Sequence, residues 1–347
     1  MNSPPPVPAG LPLTRRRLLS VTGALGLGAL LTACGDSESG DNHEKTANAG
    51  KGWSFKDDRG RTATADSIPR KIVAYIGSAA ALHDFGVEVT GVFGPTKLKN
   101  GEPDVQAGGV DVDKVTVIGN AWGEFNVEKY ASLQPDLLIT NMNVAPTLWY
   151  VPEESGKKIE ALAPTVGILA AKTSLLTAIG RYAELAESLG ADLKATKVTD
   201  AKARFEAASE ALRKAAKAKP GLKVLAVAAT QDLCYVAAPA AFADLRYYQE
   251  LGVEFAEPAK PAADGFYEEL SWENVGRYGA DLLLVDKRTG NLQPADLAKD
   301  KPTWRSQPAV KAEQITSWHN EAHFSYAGYI PLLEALTQAV RAAKKVL

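Results

Sequence analysis

Apolar residues follow two rhythms along this chain. From Ala191 to Lys219, the positions Val198, Ala201, Phe205, Ala208, Leu212 and Ala215 recur at spacings of three and four, the period of one helical stripe. Lys202, Arg204, Glu206, Glu210, Arg213 and Lys214 fall between them. Glu210 stands one helical turn before Lys214, the order that favours a surface ion pair. Pro220-Gly221 stops the pattern. About 27 residues at ~1.5 Å each predict a rod about 40 Å long. On both sides of it the apolar residues come in short runs, among them KIVAYIG, DLLIT, LKVLAVAA and LLLV, separated by helical stretches. That texture predicts α/β units with buried parallel strands.

The two sides resemble each other. FNVEKYASLQPDLLIT (Phe125 to Thr140) aligns without a gap on LSWENVGRYGADLLLV (Leu270 to Val285), so that Glu128 matches Glu273 and Asp136 matches Asp281. DFGVEV (Asp84 to Val89) is echoed by ELGVEF (Glu250 to Phe255). In each half a helix ends at Gly, a short strand follows, then another helix and a buried strand. The expected fold is α/β, with two similar lobes of mostly parallel central sheets bridged by a single long rigid helix. Residues 53–190 form the N-terminal lobe, 191–219 the bridge and 220–347 the C-terminal lobe. The functional surface is then expected in the cleft between the lobes.

The start of the chain reads differently. Thr14-Arg15-Arg16-Arg17-Leu18-Leu19 abuts an apolar stretch ending at Ala33, too short and too rich in Gly and Ala for a membrane span. It has the form of a secretory signal of the twin-arginine type. Leu31-Thr32-Ala33-Cys34 resembles a bacterial lipobox, which implies that residues 1–33 are removed and Cys34 is acylated. Residues 34–52, rich in Ser, Gly and Asn, are expected to be a disordered tether. The protein is thereby expected outside the cytoplasm, anchored to the membrane by lipid.

Of 347 residues 46% are hydrophobic and 23% charged, ordinary for a globular chain large enough for two domains, and the net charge of −2 gives no footprint for nucleic acid. Loss of Arg15, Arg16 and Arg17 from 39 basic residues leaves 36 against 41 acidic ones. Cys234, in a strand-like segment, then has no partner for an internal disulfide and reads as a small core residue.

Parallel sheets bind ligands outside the carboxyl ends of their strands. In this layout those ends carry Tyr75, Phe93, Trp122, Trp149, Tyr150, Tyr235, Tyr267, Arg288, Trp318 and His319. Core packing accounts for any one of these rings. Gathered together, they predict an aromatic cleft for a bulky, partly apolar ligand with polar faces. Arg288 either faces the cleft mouth or pairs with Asp286. Catalysis finds no support, because no Gly-x-Ser-x-Gly elbow, His-Glu-x-x-His pair or phosphate-cradling loop is present. His319 and His323 have metal-ligand spacing but fall in a loop-like segment before the last helix, so no metal site is assigned. Glu128 and Glu273 each sit in the first turn of a helix, after Asn126 and Ser271. There they complement the helix dipole, or they offer two equivalent carboxylates to a two-fold symmetric partner bearing arginines.

Cys34, Pro69-x-x-Ile72-Val73, Asn126-x-Glu128 with Pro135-Asp136-Leu137, the bridging helix and the second-lobe echo together resemble the iron-siderophore and cobalamin class of ABC-transporter solute-binding lipoproteins. TLWYVPEES, GEFNVEKY and SWENV resemble the actinobacterial members for hydroxamate siderophores of the desferrioxamine type. The resemblance implies a monomeric receptor delivering a ferric siderophore to an ABC permease dimer, with Glu128 and Glu273 salt-bridged to permease arginines. It implies no cofactor: iron arrives chelated and needs no protein ligand, only aromatic faces and donors such as Arg288, Tyr75, Tyr235 or Trp318. A haem or cobalamin receptor with His319 or His323 as axial ligand is the alternative on the same fold, and an extracytoplasmic chelatase a third reading.

Overall fold

The computed structural model describes residues 52–347. The expectations for the export signal, for Cys34 and for nearly all of the tether lie outside the described residues. The described chain opens with an antiparallel hairpin, β1 (Trp53–Lys56) and β2 (Thr62–Ala65), around the Asp57–Gly60 turn that the sequence predicts. Asp57 and Asp58 then accept hydrogen bonds from the amides of Gly167 and Leu169, fixing the hairpin to the sheet behind it.

The first sheet contains β3 (Ile72–Tyr75), β4 (Gly91–Phe93), β5 (Thr116–Gly119), β6 (Leu137–Met142) and β7 (Thr165–Leu169), all parallel in the order β5-β4-β3-β6-β7. Helices α1 (Ile76–Phe85), α2 (Val127–Ser132), α3 (Glu153–Leu162) and α4 (Leu175–Ser188) surround it. Ile72 to Tyr75 and Leu137 to Ile139 are all buried. Strands covered on both faces read as unbroken apolar runs rather than as alternation.

The long helix α5 spans Thr196–Lys217, 22 residues and therefore about 33 Å. It is shorter than its periodicity suggested because Gly190 leaves α4 in a left-handed turn, and the Asp192 carboxylate then accepts the Lys194 amide and closes another. Its apolar stripe lies along α10 (Tyr326–Ala342), with Phe205 stacked on Tyr247 and edge-on to Tyr326. Glu210 pairs with Arg213 at 2.5 Å more closely than with Lys214 at 3.9 Å.

The second sheet is built on β8 (Lys223–Ala229). Strands β10 (Glu254–Phe255), β12 (Leu282–Asp286) and β13 (Ile315–Trp318) run parallel within it, whereas β9 (Leu233–Ala237) and β11 (Tyr267–Ser271) are antiparallel additions at one edge. Helices α6 (Ala243–Glu250), α7 (Pro294–Asp300), α8 (Pro302–Arg305) and α9 (Pro308–Lys311) complete the lobe. Two separate sheets joined through one long helix are the expected architecture.

The internal echo has a physical basis. Gly86 and Gly252 end α1 and α6 with positive φ of 95° and 97°, a conformation that only glycine adopts without strain. Val87 and Val253 then return their amides to Leu82 and Tyr248, starting β4 and β10 alike. Asp136 accepts the amides of Arg70 and Lys71 at the start of β3, and Asp281 accepts that of Lys223 at the start of β8. Each aspartate thus pins the incoming end of its lobe's central strand.

Several elements were not visible in the pattern. The second echo is not an α-helix: β11 runs to Ser271, and Trp272–Arg277 is a 3-10 helix. Glu268 of β11 is buried and takes Arg277 and the Tyr278 hydroxyl, an arrangement that requires a tight turn. No periodicity in the sequence marks α3 or the short helices α7 to α9, each of the last three begun by a proline, while β13 ends at Trp318 as expected of a strand exit. Met142 belongs to β6 rather than to the aromatic loop. The final helix begins at Tyr326, capped by Ser325, and α4 at Leu175, capped by Ser174.

Asp281 is buried and also accepts the amides of Val346 and Leu347, so Asp281→Ala strands three donors. Urea unfolding should show a loss of roughly 2–4 kcal/mol, clearly more than for Asp136→Ala, whose carboxylate is half exposed.

Candidate functional site

The carboxyl ends of β3, β5 and β6 bring one group of rings together. Trp122 follows β5, Trp149 and Tyr150 follow β6, and Tyr75 is the last residue of β3. Ring centres lie 5.0 Å apart for Trp122–Trp149, 5.1 Å for Trp122–Tyr150 and 5.4 Å for Tyr75–Tyr150. Trp122 is 41% exposed, Trp149 and Tyr150 are half-buried, and Tyr75 is buried. Phe93, also buried, supports Tyr75 from behind at 6.2 Å.

The second lobe supplies a matching group. Tyr267 at the start of β11 meets Tyr235 of β9 at 5.9 Å and Phe242 at 5.1 Å, and Phe242 meets Trp318 at 5.0 Å. Trp318 is buried and its indole N–H donates to Asp244 at 2.7 Å. Phe93 and Trp318 therefore back the rings in front of them.

Polar residues join the two groups. Arg288, just after β12, donates from Nε to Asp286 Oδ2 at 2.8 Å and from Nη1 to Glu321 Oε1 at 2.9 Å. Its Nη2 lies 2.6 Å from Asp286 Oδ2 and 3.3 Å from the Tyr267 hydroxyl. Glu321 Oε2 accepts the Tyr75 hydroxyl at 2.8 Å and the Trp149 indole N–H at a long 3.5 Å. The Gln106 side chain also touches the Tyr75 hydroxyl. Burial first, then the Glu321 charge, pushes the Tyr75 phenol well above its usual range. Burial raises Tyr150 and Tyr267 in the same way, so all three rings stay neutral donors. For Arg288, Asp286 and Glu321 outweigh burial and keep the guanidinium charged.

The ion pair of Arg288 with Asp286 is thus present, but Asp286 is wholly buried and Glu321 completes it. As the structure stands, Arg288 is occupied rather than free at the cleft mouth. Glu321, Gln106, Asp104 and Phe242 are members of this site that the sequence reading did not assign. Glu321 is partnered by Tyr75, 246 positions earlier in the chain, which no local pattern signals.

A cavity of about 330 Å³ shares Arg288, Gln106 and Glu321 with this network and is further lined by Asp84, Lys287, His319 and His323. The rings of the aromatic cluster are not among its walls. His319 is half-buried, burial lowers its pKa, and its Nδ1 has no protein partner. His323 is not available as an axial ligand through Nε2, which faces Asp84 Oδ2 at 3.0 Å. Asp84 also accepts the Ser325 hydroxyl at 2.6 Å; burial opposes its charge, but His323 and Ser325 hold the carboxyl below its ordinary value. Among the described residues no group of three or more His, Cys, Asp or Glu has metal-binding geometry. The lobes also touch where Thr289 donates to Asp104 and where the Lys172 ammonium donates to the Asp264 carbonyl.

Glu128 and Glu273 are exposed, in the first turns of α2 and of the 3-10 helix Trp272–Arg277. Asn126 caps α2 by accepting the Lys129 amide at 2.8 Å. The Glu273 carboxyl is held below its ordinary value by its own backbone N–H and the Ser271 hydroxyl. Cys234 is a buried free thiol that burial pushes up to about 12, consistent with a core residue.

Asp244, fully buried beneath Trp318, has a carboxyl pushed up to about 7 by burial. The folded protein therefore keeps a proton between about pH 4 and pH 7 that the unfolded chain releases, and stability falls as pH rises through that window. Asp244→Asn should flatten this slope: comparing urea unfolding at pH 5 and pH 8, wild type loses on the order of 3 kcal/mol more than the variant. Parallel slopes would show that Asp244 does not titrate there.

Known proteins share this fold. DesE, a ferric-siderophore receptor from Streptomyces coelicolor, is 54% identical, superposes with a TM-score of 0.82, and is matched over 85% of this chain and 100% of its own. SirA of Staphylococcus aureus, solved with staphyloferrin B, shares the fold at 19% identity and a TM-score of 0.58, over 84% of this chain and 99% of its own. The Fe(3+)-citrate-binding protein YfmC of Bacillus subtilis is 21% identical over 86% of this chain and 88% of its own length. The periplasmic binding protein profile matches residues 73–322, from the first central strand to the loop carrying Glu321, and the chain belongs to that family.

Proposed function

We propose that this protein is a lipid-anchored extracytoplasmic receptor that binds a ferric hydroxamate siderophore of the desferrioxamine type and delivers it to an ABC importer. The observation that carries the reading is the network in which Arg288 and Glu321 link Tyr75 and Trp149 of one lobe to Tyr267 of the other, in a chain 54% identical to a ferric-siderophore receptor. A ferric trihydroxamate presents methylene linkers and an oxygen-rich face around an iron whose positions are already filled. Trp122, Trp149, Tyr150, Tyr235 and Tyr267 suit the linkers, and the Tyr267 hydroxyl suits the oxygens. A resident metal ligand is not needed for such cargo. A haem receptor would draw instead on the unpartnered His319 Nδ1.

Titrating a ferric trihydroxamate and, separately, haemin against the protein while following tryptophan fluorescence discriminates the two. The expected result is saturable one-to-one quenching by the trihydroxamate, because Trp149 reaches Glu321 and Trp122 packs on Trp149, with the iron recovered unchanged. Quenching by haemin alone would replace this reading with the haem one.

Docking and anchoring are read from positions. Glu128 and Glu273 occupy equivalent places before β6 and β12 and are exposed, as a two-fold partner requires. Glu128→Arg with Glu273→Arg should leave binding intact and abolish iron uptake in cells, while Cys34→Ser should move the protein from the membrane fraction into the medium. Unimpaired uptake by the double variant would leave both glutamates as helix-terminus charges only.

A further inference from the structure

The charge of the crevice is settled by Glu321, and this has a consequence for which chelates enter. Arg288 is the guanidinium that a siderophore's oxygens would seek, yet Asp286 and Glu321 already hold it from two sides. Asp286 cannot leave: it is wholly buried, and its backbone lies in the β12–β13 ladder. Glu321 is held by Arg288, by Tyr75 and, more loosely, by Trp149, and its side chain is only 13% exposed. Near this network stand two further charges, Lys287 on the cavity wall and buried Asp104, which accepts from Thr289. Asp84 lines the same cavity, so Arg288 and Lys287 stand against four carboxylates, those of Asp84, Asp104, Asp286 and Glu321. His319, with its pKa lowered by burial, adds no positive charge at neutral pH.

Aromatic faces act in the same direction. Trp122, Trp149 and Tyr150 meet at right-angled contacts with Trp122 exposed, and the Trp149 N–H points at Glu321. Ring faces beside a carboxylate attract ammonium groups and not carboxylates. A site of this sign, partly shielded from water, repels an anionic ligand more strongly than a surface charge would.

Building on the receptor reading above, we propose that the crevice selects ferric chelates by charge, favouring a cationic chelate over an anionic one of the same core, with Glu321 as the determinant. Carboxylate-rich and catecholate chelates, whose ferric complexes are anions, would be disfavoured, and a trihydroxamate bearing a free ammonium end preferred.

The test uses one ferric trihydroxamate whose free end carries an ammonium, an acetamide or a succinamate, giving complexes of charge plus one, zero and minus one. Fluorescence titration of the wild-type protein in low and in physiological salt should give the tightest binding for the ammonium form and at least roughly tenfold weaker binding for the succinamate. Salt should narrow the gap, since the Debye length shortens from about 30 Å at 0.01 M to 8 Å at 0.15 M. Glu321→Gln should reduce the ratio between the two ends several-fold, and the ratio is read within each protein, so altered overall affinity does not obscure it. Equal affinities of the three forms for the wild-type protein, or a ratio unchanged in Glu321→Gln, would overturn the selection while leaving the receptor reading in place. Failure of all three to bind would overturn the receptor reading itself.

Discussion

The contact between Arg288 and its two carboxylates ties together everything on the upper face of the molecule. Asp286 is the last residue of β12 and is sealed from water, so its charge needs a partner within reach. Arg288, two residues on, supplies it and is thereby held in one orientation. The second side of its guanidinium then fixes Glu321, and Glu321 reaches the Tyr75 hydroxyl in the other lobe. Loss of one member of such a buried set costs about 3–5 kcal/mol, because the charge left behind has no solvent to turn to. Because of that cost, the side chains lining the crevice are pre-set rather than loose. Preorganisation of this kind lowers the entropic cost of binding.

Other buried groups serve the same end from further back. Asp244 accepts the Trp318 indole, Trp318 packs on Phe242, and Phe242 on Tyr267, whose hydroxyl closes on Arg288 and Asn320. On the facing side Phe125, Phe93, Tyr75 and Tyr150 form a comparable chain. The half-buried Tyr267 and Tyr150 thus each stand on a buried ring, Phe242 and Tyr75. Asp84, His323 and Ser325 pin the lobes on the cavity side, and α5 is laid against α10 rather than spanning open space. Cross-lobe hydrogen bonds at several points and a packed connecting helix hold the two lobes together.

Duplication accounts for the symmetry of the frame, and divergence for the asymmetry of the site. The glycine turns at Gly86 and Gly252 and the aspartate pins at Asp136 and Asp281 recur because each lobe starts its strands by the same local means. The β9–β11 addition exists in the second lobe only, and it carries Tyr235 and Tyr267. The first lobe supplies rings from longer loops instead.

How much of this was legible beforehand follows from the range of each interaction. Period and capping are local, so the buried strands, the long amphipathic helix, the helix-ending glycines and the two echoing halves were open to reading from the chain. Tyr75, Trp122, Trp149 and Tyr150 do follow or end parallel strands, as the sequence suggested, whereas Tyr235 and Tyr267 lie within the antiparallel strands β9 and β11, which the expectation of strand exits did not foresee. What escaped was non-local or compressed into few residues: β11, which gains its identity from the neighbouring β9, and the proline-led helices α7 to α9, too short for a period to register. The role of Glu321 escaped as well. It sits in a loop between two histidines with no local mark, and only folding places it against Tyr75 and Arg288. The sequence by itself determined two similar lobes, their joining helix and the aromatic residues that follow the first lobe's strands. Tertiary structure decided the charge of the site, since net charge at a point depends on which distant side chains burial forces into contact.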